Sequence, residues 1–169
     1  AREMNKEQLK YIMENKPKEM EIEIFIHGAI CFAFSGRCFL SDFLSCRSAN
    51  LGDCAQSCRW SYNLYAEEKN NPGEMMPIET SEYGTSIFSS KDLCLIKEIP
   101  EIIDMGVDSL KIEGRLKTEY YLASVIGTYR NAIDDYEKDP EGYDYTKYLK
   151  ELEKVKTRGL TTFYFNDRN

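Results

Sequence analysis

Five of the six cysteines crowd into the stretch from Cys31 to Cys58, and this crowding constrains the fold more than any other feature. The surrounding segment, 29–62, also carries Gly36, Gly52 and several Ser and Asn residues, so no helix or strand runs far through it. It is too long and too rich in cysteine to be an idle connection. Clustered thiols bind a metal or an iron–sulfur cluster, form disulfides, or pack as small hydrophobes. Spacing alone leaves all three open. The rest of the chain is not a small loop-rich secreted scaffold. Ala1–Lys10 is charged and helical in pattern rather than an apolar leader. A reducing cytoplasm is therefore expected, with metal or cluster binding the favoured use of the thiols.

Regular elements flank this segment. Asn5 and Gln8 are spaced as a capping box, and Leu9, Ile12 and Met13 follow at helical spacing until Lys16-Pro17. Residues 20–27 alternate as a strand, with Ile22, Ile24 and Ile26 on one face and Glu21, Glu23, Phe25 and His27 on the other. Residues 66–84 read as a polar excursion. Ser89 and Asp92 are in capping register for a helix whose stripe is Leu93, Ile96, Ile99, Ile102 and Ile103, perturbed at Pro100 and stopped at Gly106. Val107–Gly114 reads as a second strand. Thr118 caps a long helix to about Lys138, Asp144 caps another, and 160–165 reads as a terminal strand.

Helix and strand alternate in this order, so an α/β fold with parallel pairing is expected. Lys111, Glu113 and Arg115 fall at the C-terminal end of the second strand, where parallel sheets and barrels keep their chemistry; a rim salt-bridge cluster is the plainer reading. His27, the only histidine, ends the first strand four residues before Cys31. It reads as an aid to a thiolate or as a hydrogen-bonded strand-end histidine. The chain has no H-E-x-x-H helix and no G-x-S-x-G elbow, so it carries little support for a protease.

Apolar residues make up 42% and charged residues 30%, the balance of a globular protein. The net charge of -7 argues against a nucleic-acid surface made of basic residues. No apolar run approaches the roughly 20 residues of a membrane span, so no membrane partner is expected.

Longer motifs point to a family. Glu23-Ile24-Phe25-Ile26-His27-Gly28-Ala29-Ile30-Cys31, followed after four residues by Gly36-Arg37-Cys38-Phe39-Leu40-Ser41, resembles the signature of the U-thirty-two peptidase family, the collagenase-like peptidases. The run from Arg47 to Trp60, with Cys54 and Cys58, resembles its R-[DS]-A-N-x-G-x-C-x-x-x-C-R-W block. Ser90-Lys91-Asp92-Leu93, Asp108–Arg115, Tyr129–Asp134, and Arg158 with Thr161-Thr162 resemble further blocks. One departure is the absence of Gly before Phe163, where relatives read T-T-G-F-Y.

The resemblance implies that residues 1–157 are the C-terminal part of a TIM-barrel-like (β/α) domain with a cysteine-rich insertion at 29–62. It implies that 158–169 begin a link to a C-terminal β domain, and that the piece alone is inactive. It further implies a [4Fe–4S] cluster on Cys31, Cys38, Cys54 and Cys58, with zinc, or no metal in air-handled material, as the alternatives. The implied activity is oxygen-independent hydroxylation of an RNA base, with the tRNA wobble uridine as leading target, rRNA as another, and prephenate as donor. Lys111 and Arg115 would then bind an anionic donor, with Glu113 as acid/base candidate or Lys partner, and His27 as a further catalytic candidate. A collagenase-like protease and a zinc-binding structural domain are the alternative readings.

Overall fold

The computed structural model describes residues 2–31, 33–70, 72–73, 75–77, 91–157 and 159–166. The elements in chain order are α1 (Lys6–Asn15), β1 (Glu23–Ala29), α2 (Leu40–Ser45), β2 (Tyr65–Glu67), β3 (Met75–Pro77), β4 (Asp92–Cys94), α3 (Ile99–Asp104), β5 (Ser109–Glu113), α4 (Glu119–Lys138), α5 (Thr146–Leu152) and β6 (Leu160–Thr161). Two single-turn 3-10 helices, Ala49–Leu51 and Ser57–Arg59, follow α2. The chain divides into two compact units, residues 1–31 with 90–169 and residues 32–89.

The first unit is α/β. Its four-stranded sheet has the order β5-β1-β4-β6. β1 runs parallel to β5 and β4 parallel to β6, but β1 and β4 are antiparallel. The sheet is therefore mixed: two strands read from the sequence, β1 and β5, pair in parallel, and the antiparallel pair comes from β4, which is not expected as a strand. The stretch read as one helix from Asp92 to Ile103 is corrected. Asp92–Cys94 is strand, and the helix is α3, with Pro100 in its first turn. The run Leu93–Ile96 is buried throughout, so it shows none of the one-sided burial that distinguishes a surface helix. Pro100 starts the helix because its missing N–H would have been unpaired there in any case. The expected terminal strand shortens to β6, and the chain turns from Thr162, whose carbonyl accepts the Phe165 amide.

Other elements follow their local signals. Gln8 N–H donates to Asn5 Oδ1 at 2.9 Å and Asn5 N–H to Gln8 Oε1 at 3.1 Å, which closes the capping box of α1. Thr118 caps α4 by accepting the Tyr121 amide. The inner face of α4, Tyr121, Val125, Tyr129 and Ala132, packs on Ile26, Leu95, Ile96, Ile99 and Ile102 to form the core. Each such aliphatic or aromatic burial stabilises by about 1.5–3 kcal/mol. Gly28 is required for close approach. Its φ is +109°, and a Cβ there would lie 2.4 Å from the Glu113 carbonyl oxygen on β5.

The second unit holds α2, the two 3-10 turns and the antiparallel pair β2–β3. That pair lies within the stretch read as a polar excursion. Ser41 is its interior anchor: Ser41 Oγ accepts the Ala55 amide at 3.0 Å, and Ser45 Oγ donates to the Ser41 carbonyl at 2.6 Å. Arg47 bridges to Asp53 at 2.6 Å. The expected cap at Ser89 lies outside the described residues, as does Arg158.

Candidate functional site

The sheet end next to Gly28 is assembled by an irregularity in β1. Phe25 pairs with Lys111 but His27 pairs with Ile112, so the register slips at Ile26. A bulge of this kind breaks the two-residue alternation of a strand. Ile26, His27 and Gly28 are consequently all buried. His27 is 1% exposed rather than on the polar face that alternation assigns it.

Tyr129 on α4 organises the surroundings of His27. Its hydroxyl accepts the Leu95 amide at 3.2 Å and donates to the Ile26 carbonyl at 3.1 Å. It also lies 3.3 Å from His27 Nδ1 and 3.7 Å from Cys94 Sγ. The phenol has one proton. The Ile26 carbonyl, Cys94 Sγ and His27 Nδ1 all lie within its reach. The other ring nitrogen, Nε2, is buried and has no hydrogen-bond partner among the described residues. Burial pushes the His27 pKa down to about 4; Asp92 opposes this and Lys117 adds to it. Burial likewise raises the Cys94 thiol and raises Tyr129 well above the usual phenol range.

Three further residues complete this end of the sheet. Asp92, the first residue of β4, is fully buried, and its amide donates to the Gly159 carbonyl at 2.9 Å. Lys117 Nζ lies 3.7 Å from Asp92 Oδ2 and 4.6 Å from the ring centroid of Tyr121. Tyr121 in turn lies 6.1 Å from His27, ring to ring. Leu116, at φ +62°, turns the backbone that leads into Lys117, and the Lys117 amide closes the turn on Gly114 at 3.1 Å. A buried imidazole thus shares its surroundings with a buried carboxylate, Asp92, and the partly exposed ammonium of Lys117, which supplies positive charge.

Sequence reasoning missed Asp92, Lys117, Tyr121 and Tyr129 as parts of this cluster. Asp92 and Tyr129 lie inside family-like blocks, but Asp92 read as part of a helix start and Tyr129 carried no role of its own.

The other expected acid/base and anion-binding residues are paired locally. Lys111 Nζ donates to Glu23 Oε1 at 2.8 Å, and Ser109 Oγ donates to Glu23 Oε2 at 2.9 Å. These bonds hold the Glu23 carboxyl below its ordinary pKa. Arg115 grips Glu113 with Nη2 at 2.9 Å and Nε at 3.1 Å, and its amide also donates to Glu113 at 2.8 Å. Lys111 and Arg115 therefore answer to different carboxylates, while His27 is joined to Tyr129.

Cys31 leaves the first unit just past β1, whereas Cys38, Cys54 and Cys58 belong to the second. All six cysteines are thiols, none in a disulfide. Cys54 Sγ accepts the Gln56 amide at 3.3 Å, aided by the left-handed Gln56 at φ +54°. An amide on sulfur is the hydrogen bond that tunes a thiolate ligand in an iron–sulfur site. Among the described residues, however, no three His, Cys, Asp or Glu side chains gather into a group that would hold a metal ion. The donors have the right chemistry for a cluster or zinc.

Residues 1–169 all match Peptidase family U32. The chain belongs to this family. A tRNA hydroxylation protein of Bacillus subtilis is 47% identical over 156 residues, covering 91% of this chain and 36% of that protein. An uncharacterized protease of Methanocaldococcus jannaschii is 44% identical over 174 residues, covering 100% of this chain and 41% of its own length. A 23S rRNA 5-hydroxycytidine synthase of Escherichia coli is 35% identical over 175 residues, covering 99% and 25% respectively. The chain thus spans well under half the length of these family members. No solved structure matches it. No helix among the described residues is long and apolar enough to cross a membrane.

Proposed function

We propose that this chain is part of a longer cytoplasmic protein that supports hydroxylation of an RNA base, and that the buried cluster around His27 belongs to its reaction site. The observation that carries this reading is similarity over nearly the whole chain to two relatives named for RNA hydroxylation, one of tRNA and one of rRNA. The wobble uridine of tRNA is the leading target and prephenate the donor. In this reading the chain is the C-terminal part of a TIM-barrel-like domain that continues through 158–169 into a β domain. Lys111 and Arg115, both half-exposed cations, engage the carboxylates of the anionic donor. Glu113, held by Arg115, is the acid/base candidate. His27, buried beside Tyr129, serves as a positioning residue for this end of the sheet.

Cys31, Cys38, Cys54 and Cys58 are the proposed ligands of a [4Fe–4S] cluster, which would supply one-electron transfer. Their thiol state and the amide on Cys54 Sγ support this choice. A protease is the second reading, favoured by the name of the archaeal relative. Against it, the only histidine is buried beside a tyrosine hydroxyl rather than beside an exposed nucleophile.

The test uses full-length protein purified without oxygen, with nucleoside mass spectrometry of RNA from cells lacking it. The expected result is about four irons and four sulfides per chain, and a hydroxylated nucleoside that disappears on deletion and is not restored by Cys54→Ser. One zinc and no iron would make the thiol site structural. Unchanged nucleosides, together with casein cleavage that survives all four Cys→Ser changes, would overturn the reading in favour of a protease.

A further inference from the structure

The second unit is built inside out around α2. Its interior side is Ser41, 1% exposed and bonded to the Ala55 amide, while Phe43 is 83% and Phe39 73% exposed. These two phenylalanines are one turn apart on the same side. The turn Ser57–Arg59 packs on α2 and ends at Trp60, which is also exposed. Phe34 is exposed as well, with the Arg37 guanidinium 5.9 Å from its ring centroid. Water does not favour such an arrangement, because each exposed ring gives up the stabilisation of burial.

Charge identifies what covers it. The chain as a whole is acidic, yet between Glu23 and Glu67 it has only two acids, Asp42 and Asp53, against three arginines, Arg37, Arg47 and Arg59. Asp53 is already taken by Arg47. The stretch is therefore depleted in the charge that repels phosphate, and its exposed large side chains are mostly aromatic rather than aliphatic. Flat rings interleaved with guanidinium groups suit unpaired nucleobases, which stack on both, while arginine meets the phosphates.

We propose that the α2 face of residues 34–60, centred on Phe39 and Phe43, is a stacking surface for unpaired bases of the RNA substrate. This rests on the RNA reading above and specifies the part of the chain that holds the RNA.

The test measures fluorescence anisotropy of labelled total tRNA, taken from cells lacking the protein, against full-length protein purified without oxygen. The double variant Phe39→Ser/Phe43→Ser weakens binding at least tenfold with an unchanged unfolding temperature. Phe43→Trp keeps wild-type affinity. Arg37→Glu, a change at an exposed residue whose guanidinium lies over Phe34, weakens binding and flattens its salt dependence. Wild-type affinity in both the double variant and Arg37→Glu overturns the proposal. So does release of a co-purifying protein by the double variant with tRNA affinity intact, which would make the face a protein interface. If deletion of the gene leaves every hydroxylated nucleoside in place and the wild-type protein binds no tRNA, the RNA reading itself fails. If the nucleoside is lost on deletion but the serine variant restores it and binds normally, only the surface assignment fails.

Discussion

The two units solve opposite problems. The first buries polar groups: His27, Asp92 and Tyr129 lie inside a sheet-and-helix core and are held there by named partners. The second displays apolar groups: Phe39 and Phe43 point outward while Ser41 takes the interior. A buried polar group is costly unless its bonds are satisfied, so the first unit must be rigid and exact in register. An exposed ring costs the fold little when removed, so the second unit is free to vary for binding. The difference separates a unit whose residues depend on one another from a unit whose surface residues act nearly alone.

This contrast can be broken most forcefully at Gly28. Gly28→Ala puts a methyl group against the Glu113 carbonyl in a backbone conformation that alanine resists. The expected loss is on the order of 4 kcal/mol, enough to abolish the two-state transition of the first unit in urea. Asp92→Asn is expected to cost about 3 kcal/mol, because Lys117 keeps its charge and loses its buried counter-ion. Urea denaturation at neutral pH reads both changes.

The pH dependence of His27 comes next. Its folded pKa of about 4 lies below the unfolded value of 6.5. Between these values the unfolded chain binds the proton and the folded chain refuses it, so stability falls as pH drops from 6.5 towards 4. The contribution is about 3 kcal/mol over that window. His27→Gln removes it, so the gap between wild type and variant narrows on acidification. A gap that stays constant with pH would show that the imidazole is not held neutral by burial.

The smallest effect belongs to the second unit. Phe43→Ser is expected to shift stability by no more than about 0.5 kcal/mol. A loss of several kcal/mol would show that the ring is packed, and would erase the contrast between the units.

The sequence disclosed elements whose signals are local. The Asn5–Gln8 box and the Thr118 cap mark the starts of α1 and α4, and Val107–Gly114 encloses β5. It misled where tertiary context decides. The run Leu93–Ile96 fits a buried strand as well as a helix, and only the position of β4 between β1 and β6 settles the choice. His27 was visible as a site candidate, but its burial depends on a bulge that leaves no mark in a pattern of alternating residues. Lys117 and Asp92 are far apart in sequence and meet only because β4 enters the sheet against β1. The pairings of Lys111 with Glu23 and Arg115 with Glu113 were equally hidden, since alternation gives a face but not a partner.

The antiparallel pairing of Ala29 with Asp92 has one more consequence. The strands on which the intervening segment is mounted are the two arms of a β-hairpin, and that segment is its outsized loop. In design terms the pairing of β1 with β4 closes the loop from within the first unit. Replacing it with a short turn would leave β1 and β4 in register and reduce the entropy of closure by about 2 kcal/mol. The remaining scaffold would then be expected to fold by itself, cooperatively and with Tyr129 still joined to His27, which circular dichroism of the shortened chain would check.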